Sequence, residues 1–536
     1  MDDVIVRIVA AVVSALVFCI MTWKLAGAMQ QSGYKNGVFL RWLKRKDNLY
    51  FNRLWVLALC LALAPTVTSL CFAFLGRRVA LSVSAIVFFG LLLVFYRADR
   101  KYALKVPTAR TGRLSRLFAV YLLFVACVAY FLIAFLWMLA RWNGSELYAL
   151  IAYVPFAVMP TLLPVLLCAA NVTTGVFENA KNRKFVKRAG QVLDETQILR
   201  VGVVGSYGKT SVKNILKTLL SEKYSVVETP ASYNTPIGVA KTVFSSEFEN
   251  KQVFIVEMGA RKAGDIAELC DLVKPDYAVF TGVCEQHIAT FGNLENVWTE
   301  KSEIVKRTAK SVVCGASLRE YLQKDMPTAV GNKALIADGD MARDVCLEAT
   351  KTAFTLCVGG EEVAVETALL GSVAVENIVL AAALASEMGL TAAEIGRGIS
   401  KLQPIPHRLQ LLKNGGVYIL DDGYNGNPRG AEEAILALGR FDGRKCVVTP
   451  GLVECGVLEE QINDRLGEQL AKAGFDKVIL VGDTLVGAVK SGFERNGGDM
   501  QTLTTAKTLQ AVQELLTEWL TEGDAVLFLN DLPDVY

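Results

Sequence analysis

The sequence predicts an α-helical membrane bundle followed by an α/β region of two parallel-sheet domains. Three observations lead there. Five apolar stretches long enough to cross a bilayer fall within the first 170 of 536 residues. Charge is divided unevenly: residues 1–194 hold 23 Lys/Arg against 7 Asp/Glu, and the remainder 33 against 46. From Ile198 onward, short β-branched runs alternate with amphipathic stretches, the pattern of a parallel sheet covered by helices. An apolar content of 52% excludes a disordered chain. A basic, apolar N-terminal third joined to an acidic remainder is unlike a nucleic-acid binder, whose positive charge lies on a folded surface. It describes a membrane anchor carrying a cytoplasmic part. The 12 cysteines are scattered without a Cys-x-x-Cys pair, against a zinc ribbon or disulfide framework.

The expected spans are Val4 to Trp23, Leu54 to Leu75, Val79 to Tyr96, Leu117 to Ala140 and Leu147 to Ala170. Basic residues cluster between the first and second spans, after the third, and after the fifth, where Lys181, Arg183, Lys184, Lys187 and Arg188 stand. The positive-inside rule then puts the N-terminus outside and the C-terminal two-thirds in the cytoplasm of a multi-pass plasma-membrane protein. Asp2 and Asp3 precede the first span and lysines follow it, the reverse of a cleaved leader. Pro155, Pro160 and Pro164 kink the fifth span or line a cavity with freed carbonyls. No Asp, Glu or Lys sits mid-span, which weakens an ion-pathway reading. Domain limits follow: 1–170 for the membrane part and 171–197 for a basic cytoplasmic linker.

Expected strands are Val201 to Val204, Val253 to Val256, Tyr277 to Thr281, Val417 to Leu420, Cys446 to Thr449, Lys477 to Val481 and Ala525 to Leu529. Pro404 to Arg408 marks a boundary between two α/β domains. The first strand runs into Gly205-Ser-Tyr-Gly-Lys-Thr-Ser211 and then a helix. Glycines at 205 and 208 let backbone N–H groups turn around a phosphate, and the helix N-terminus adds positive potential. Lys209 then reaches the β/γ-phosphates and Thr210 a magnesium ion. The spacing differs from the usual phosphate-loop pattern, so a plain glycine-rich turn is the competing reading.

Further runs carry a resemblance: Ser232-Tyr-Asn-Thr-Pro-Ile-Gly238, Val256-Glu-Met-Gly-Ala260, Thr281-Gly-Val-Cys-Glu-Gln-His287, Glu300-Lys-Ser-Glu-Ile304 and Asp421-Asp-Gly-Tyr-Asn-Gly-Asn-Pro428. With the glycine-rich loop, and over about 340 residues, they resemble the Mur ligase family of ATP-dependent peptidoglycan-precursor enzymes. The Glu-Met-Gly-Ala and Asp-Asp-x-Tyr-Asn-x-Asn-Pro runs are similar to the branch that adds D-alanyl-D-alanine to a UDP-muramoyl tripeptide. The resemblance implies a central ATP-binding domain over 198–405 and a Rossmann-like C-terminal domain over 406–536. It also implies formation of an amide bond through an acyl phosphate, a step that needs cations and oriented donors more than a nucleophile.

By the same resemblance Gly205, Ser206, Gly208, Lys209, Thr210 and Ser211 bind ATP phosphates. Thr210, Glu257, His287 and Lys301 serve Mg²⁺, with two ions expected. Lys301 aligns with a lysine that many members carbamylate, and an unmodified surface lysine is the alternative. Lys209, Lys301 and His287 form the catalytic set. Asn377, Arg408, Asp421, Asp422, Tyr424 and Asn425 face the nucleotide, and Asn234 and Thr235 face the acceptor substrate. His407, beside Arg408, receives no role. The chain departs from the family at Val373 and Ala374, where a His-Asn pair is usual, at Gly282, and at its C-terminus. About 30 residues separate Ala170 from Val201, too few for the small domain that grips the UDP sugar in soluble members. The expected partners are therefore a small-molecule or lipid-linked peptide-sugar and an amine, with cell-wall enzymes as neighbours and no nucleic acid. Two other readings stay open: the same chemistry on another envelope or γ-glutamyl substrate, and a transporter driven by an ATPase domain.

Overall fold

The computed structural model describes residues 2–44, 50–100, 107–143, 154–230, 233–245, 247–284, 288–424, 426–453, 455, 458–482 and 485–530. The chain divides into two compact units, with the main division at Asn182/Arg183.

The first unit is helical. Among the described residues, five helices are long and apolar enough to cross a membrane: Val4–Met21, Tyr50–Cys71, Val79–Arg100, Gly112–Met138 and Met159–Glu195. Aliphatic and aromatic side chains such as Ala15, Phe39, Leu54, Leu61 and Tyr121 form its interior. Outward faces carry Ile86, Phe131, Val172 and Phe177, each at least 60% exposed. The first part of the expected fifth span, 147–153, lies outside the described residues. Its remainder is a short helix, Val154–Ala157, then the helix Met159–Glu195. Pro160 occupies the first turn of that helix, where no donor is missed, and Pro164 lies inside it. Residues 171–195, expected as a basic linker, are thus helical.

The second unit contains three sheets. β1 (Leu199–Val204), β2 (Val226–Glu228), β3 (Val253–Glu257), β4 (Tyr277–Phe280), β5 (Ser311–Gly315) and β6 (Ala334–Ala337) form a parallel sheet in the order β2-β3-β1-β4-β5-β6. Its central strands are buried Val/Ile/Phe runs because helices cover both faces. β7 (Ala342–Leu347), β8 (Thr352–Val358) and β9 (Glu361–Thr367) pair antiparallel, and β8 alternates buried and half-buried residues as a one-sided sheet must. The third sheet holds β10 (Gln410–Asn414), β11 (Val417–Asp422), β12 (Lys445–Thr449), β13 (Lys477–Val481), β14 (Leu503–Ala506) and β15 (Ala525–Leu529). Its order is β10-β11-β15-β12-β13-β14, parallel except for the edge strand β10. The segment Pro404 to Arg408 connects the helix Ala392–Ser400 to β10.

Topology decides where chemistry is placed. From β1 the chain goes to β2 and returns through β3 on one side, then crosses to β4 on the other, so the carboxyl end of β1 is a switch point. Register sets Val203 beside Glu257 and Val204 beside Phe280, bringing the loops after β1, β3 and β4 together. Glu300 supports this end: its carboxylate accepts from Gly264 N and Ile266 N, both at 2.7 Å, over the first turn of the helix Asp265–Val273.

Beside the third sheet, Asn463 on the helix Glu459–Ala473 is fully buried and bonds the backbone N–H and C=O of Leu452, each at 2.8 Å. Asn530 donates to Gly451 O at 2.6 Å and accepts from Gly426 N at 3.0 Å. The loops after β11, β12 and β15 are thereby joined. Asn463→Ala leaves both Leu452 groups unpaired and is expected to destabilise the fold by about 2–5 kcal/mol, read as a lower midpoint in thermal unfolding of the detergent-solubilised protein.

Candidate active site

β1 runs into Gly205, whose φ of 154° and the close approach of Thr281 exclude a side chain: a Cβ would lie 1.9 Å from Thr281 Oγ1. Gly208 has φ 71° and abuts Asn377, whose Oδ1 would stand 2.5 Å from a Cβ. Between them the loop docks on the end of β4, with Ser206 N donating to Gly282 O at 2.8 Å and Thr281 Oγ1 donating to Tyr207 O. The helix Lys209–Leu220 follows without a side-chain cap, so its first N–H groups point into the loop.

Cations crowd this loop. Lys209 Nζ donates to Gly205 O at 2.8 Å, and Lys301 Nζ donates to the same carbonyl at 2.9 Å. Lys301 is 2% exposed, and burial together with the Lys209 ammonium pushes its pKa down to about 7. Burial also lowers Lys209, and nearby Arg408 adds to the effect. One buried carboxylate answers them. Glu257 accepts from Thr210 Oγ1 at 2.9 Å through Oε2 and from Asn234 Nδ2 at 3.3 Å through Oε1. Lys213, one turn beyond Lys209, is 1% exposed, donates to Thr229 O at 2.7 Å and stands 3.6 Å from Glu257 Oε2.

A cleft faces this loop, lined by Gly208, Ser211 and Asn377 on one side and by Arg408, Asp422 and Tyr424 on the other. Arg408 lies over the Tyr424 ring at 4.7 Å, and burial lowers its guanidinium. Asp422 accepts from Leu409 N at 3.0 Å, and burial raises its carboxyl to about 6. Asp421 is occupied within its own segment, with Oδ2 2.7 Å from His407 Nδ1 and Oδ1 accepting from Gly423 N at 3.1 Å. His407 thus has a partner that its place in the sequence does not reveal.

Residues 203–385 match the Mur ligase middle domain, and residues 407–530 match the Mur ligase glutamate ligase domain, together more than half of the chain. The chain belongs to the Mur ligase family. The UDP-N-acetylmuramoyl-tripeptide--D-alanyl-D-alanine ligase of Escherichia coli (strain K12) is 28% identical over 347 residues, covering 62% of this chain and 76% of that protein. The enzyme of the same name from Bacillus subtilis (strain 168) is 28% identical over 335 residues, covering 61% and 72%. Among solved structures, the MurF ligase from Thermotoga maritima in complex with ADP superposes with a TM-score of 0.59 at 26% identity, over 66% of this chain and 81% of that one.

Within this Mur ligase core, the expected residues Gly205, Ser206, Gly208, Lys209, Thr210, Ser211, Glu257, Lys301, Asn377, Arg408, Asp422 and Tyr424 gather around the loop and the cleft beside it. Asn234 reaches Glu257, whereas Thr235 caps the helix Pro236–Val243, accepting from Gly238 N at 3.3 Å. His287 and Asn425 lie outside the described residues. Two observations fit a polyanion with its cation here. Ser206 Oγ is buried without a hydrogen-bond partner inside the loop, and the oxygens of Thr210 and Glu257 meet at 2.9 Å beside the Lys213 ammonium. Lys213, Tyr207, Arg429 and Glu433 also belong to the site's surroundings. Lys213 reads in sequence as a polar position of an amphipathic helix, and only the spacing of four from Lys209 hints at its direction.

Gly205→Ala is expected to abolish nucleotide binding by driving the loop off Thr281, with fold retention checked by circular dichroism and binding by titration with a fluorescent ATP analogue.

Proposed function

We propose that this protein is a membrane-embedded, ATP-dependent carboxylate–amine ligase of peptidoglycan-precursor synthesis, joining D-alanyl-D-alanine or a similar amine to a muramoyl-peptide carboxylate. The carrying observation is the pair Lys209 and Lys301 on the Gly205 carbonyl, facing Glu257 and Thr210 inside a Mur ligase core. The carboxylate oxygen of the acceptor attacks the γ-phosphorus of ATP, ADP leaves, and an acyl phosphate results. The amine nitrogen then attacks the acyl carbon, inorganic phosphate leaves, and a proton is lost from nitrogen. Lys209 and the loop N–H groups hold the transferred phosphoryl group, while Arg408 approaches it from across the cleft. Asn377, Asp422, Tyr424 and Asn425 orient the nucleotide, and Asn234 and Thr235 face the acceptor.

Thr210, Glu257, His287 and a carbamylated Lys301 are the residues that would hold two magnesium ions, whose charge lowers repulsion between carboxylate and triphosphate. A lysine near pKa 7 suits carbamylation, because only the neutral amine adds to CO₂. The five apolar helices support a plasma-membrane setting with the ligase core in the cytoplasm. They also favour a second version of the substrate, a lipid-linked peptide-sugar presented at the membrane surface.

Detergent-purified protein with Mg-ATP, UDP-muramoyl tripeptide and D-alanyl-D-alanine is expected to yield the pentapeptide and ADP. Lys209→Ala is expected to lose the product at least 100-fold while remaining folded, by mass spectrometry of the products. Product from a lipid-linked acceptor alone would select the second version. Ligation left normal in Lys209→Ala would overturn the phosphate-loop assignment. Activity lost on bicarbonate depletion is expected to return on re-addition, more fully above pH about 7 than below, since the neutral share of Lys301 grows as pH rises. Lys301→Ala is expected not to respond, in the same assay.

A further inference from the structure

Tyr207 stands in the middle of the phosphate loop, between Gly205 and Gly208, and lines the cleft beside it. It is 8% exposed, and its hydroxyl lies 3.2 Å from Ser317 Oγ in the turn after β5. The same hydroxyl accepts a hydrogen bond from Arg429 of the C-terminal domain. The Arg429 guanidinium carbon sits 4.7 Å from the centre of the Tyr207 ring, and its other edge pairs with Glu376. One turn further along the same helix, Glu433 accepts from Ser372 N at 2.7 Å and Ser372 Oγ at 2.6 Å, at the start of the helix Ser372–Glu387. Tyr207 also explains the glycine at 282: a Cβ there would lie 2.2 Å from the Tyr207 hydroxyl and 2.5 Å from its Cζ. The tyrosine fills the volume that a side chain at 282 would need.

We propose that Tyr207 and Arg429 are positioning residues that latch the C-terminal domain onto the phosphate loop and so set the width of the ATP cleft. Arg429 directly follows Pro428, at the end of the segment that carries Asp422 and Tyr424. Anchoring Arg429 on Tyr207 therefore fixes how far that segment stands from Lys209. The contact combines a charge-assisted hydrogen bond with a cation over an aromatic face, on a ring that is itself buried. It is made only when the two domains are together, so its free energy biases the closed arrangement and leaves the loop's own fold unchanged. The inference rests on the ATP-ligase reading for its effect on turnover, though not for its effect on nucleotide binding.

The test uses the full chain in detergent with Tyr207→Phe, which keeps the ring beside Gly282, Arg429→Gln, which keeps length without charge, and the double variant. Each single variant is expected to raise KM for ATP and lower kcat, with kcat/KM down on the order of 10-fold to 100-fold. The double variant is expected to lose no more than the worse single one, because both break one contact. Amide hydrogen exchange over 421–430 with a non-hydrolysable ATP analogue is the second readout. Wild-type protein is expected to gain protection on adding nucleotide. The variants are expected to gain little, while matching wild type without nucleotide. Multiplicative losses in the double variant, or wild-type protection in either single variant, would overturn the latch. Absent ligation by the wild-type protein with nucleotide protection intact would defeat the ligase reading and leave the latch standing.

Discussion

Positive charge buried at the switch point of a parallel sheet is the constraint on which the rest of the second unit depends. Lys209, Lys213, Lys301 and Arg408 converge there, and Glu257 is the buried carboxylate set among them. Burial, and then neighbouring like charge, depress the affinity of these amines for protons, as Lys301 shows, and the arrangement persists only because the surrounding sheet holds it. The chemistry follows from the imbalance. A triphosphate entering this end supplies the negative charge that the protein lacks, and binding releases the strain of desolvated cations. A carboxylate substrate, itself an anion, can then approach a phosphoryl group whose charge is already answered.

Neighbouring structure is organised to keep these cations in place. Gly205 and Gly208 allow the loop to lie against Thr281 and Asn377 without intervening side chains. Glu300 and Lys301 are adjacent yet face different tasks: the first caps the helix Asp265–Val273, and the second reaches the Gly205 carbonyl. On the opposite wall, Asn530 and Asn463 join the loops that follow the third sheet's strands. Each wall is rigid because buried backbone groups find side-chain partners there.

Much of this was legible in the sequence. All seven expected strands form, each within a few residues of its limits, because continuous Val/Ile runs flanked by glycine or charge have no better home than a buried parallel strand. The loop from 205 to 211 was legible for a similar reason: glycines, a lysine and a threonine in that order have few other uses. The antiparallel strands β7 to β9 escaped notice, since Thr-Ala-Phe-Thr-Leu-Cys-Val alternates in burial but barely in polarity. Residues 171–195 read as a tether because basic residues obscure helical periodicity, yet they continue the helix begun at Met159. Lys213, Arg429 and Glu433 were beyond reach for another reason. Each is a charged side chain on an amphipathic helix, where the usual expectation is solvent, and only tertiary contact turns it inward.

Tyr207 and Gly282 share one volume, and that has a consequence for descent with modification. Neither position can acquire a different shape independently: a side chain at 282 collides with the tyrosine ring, and a shrunken 207 opens a void beside the phosphate loop. The two positions are therefore expected to change as a pair, with Arg429 freed to drift once the ring that it covers has gone.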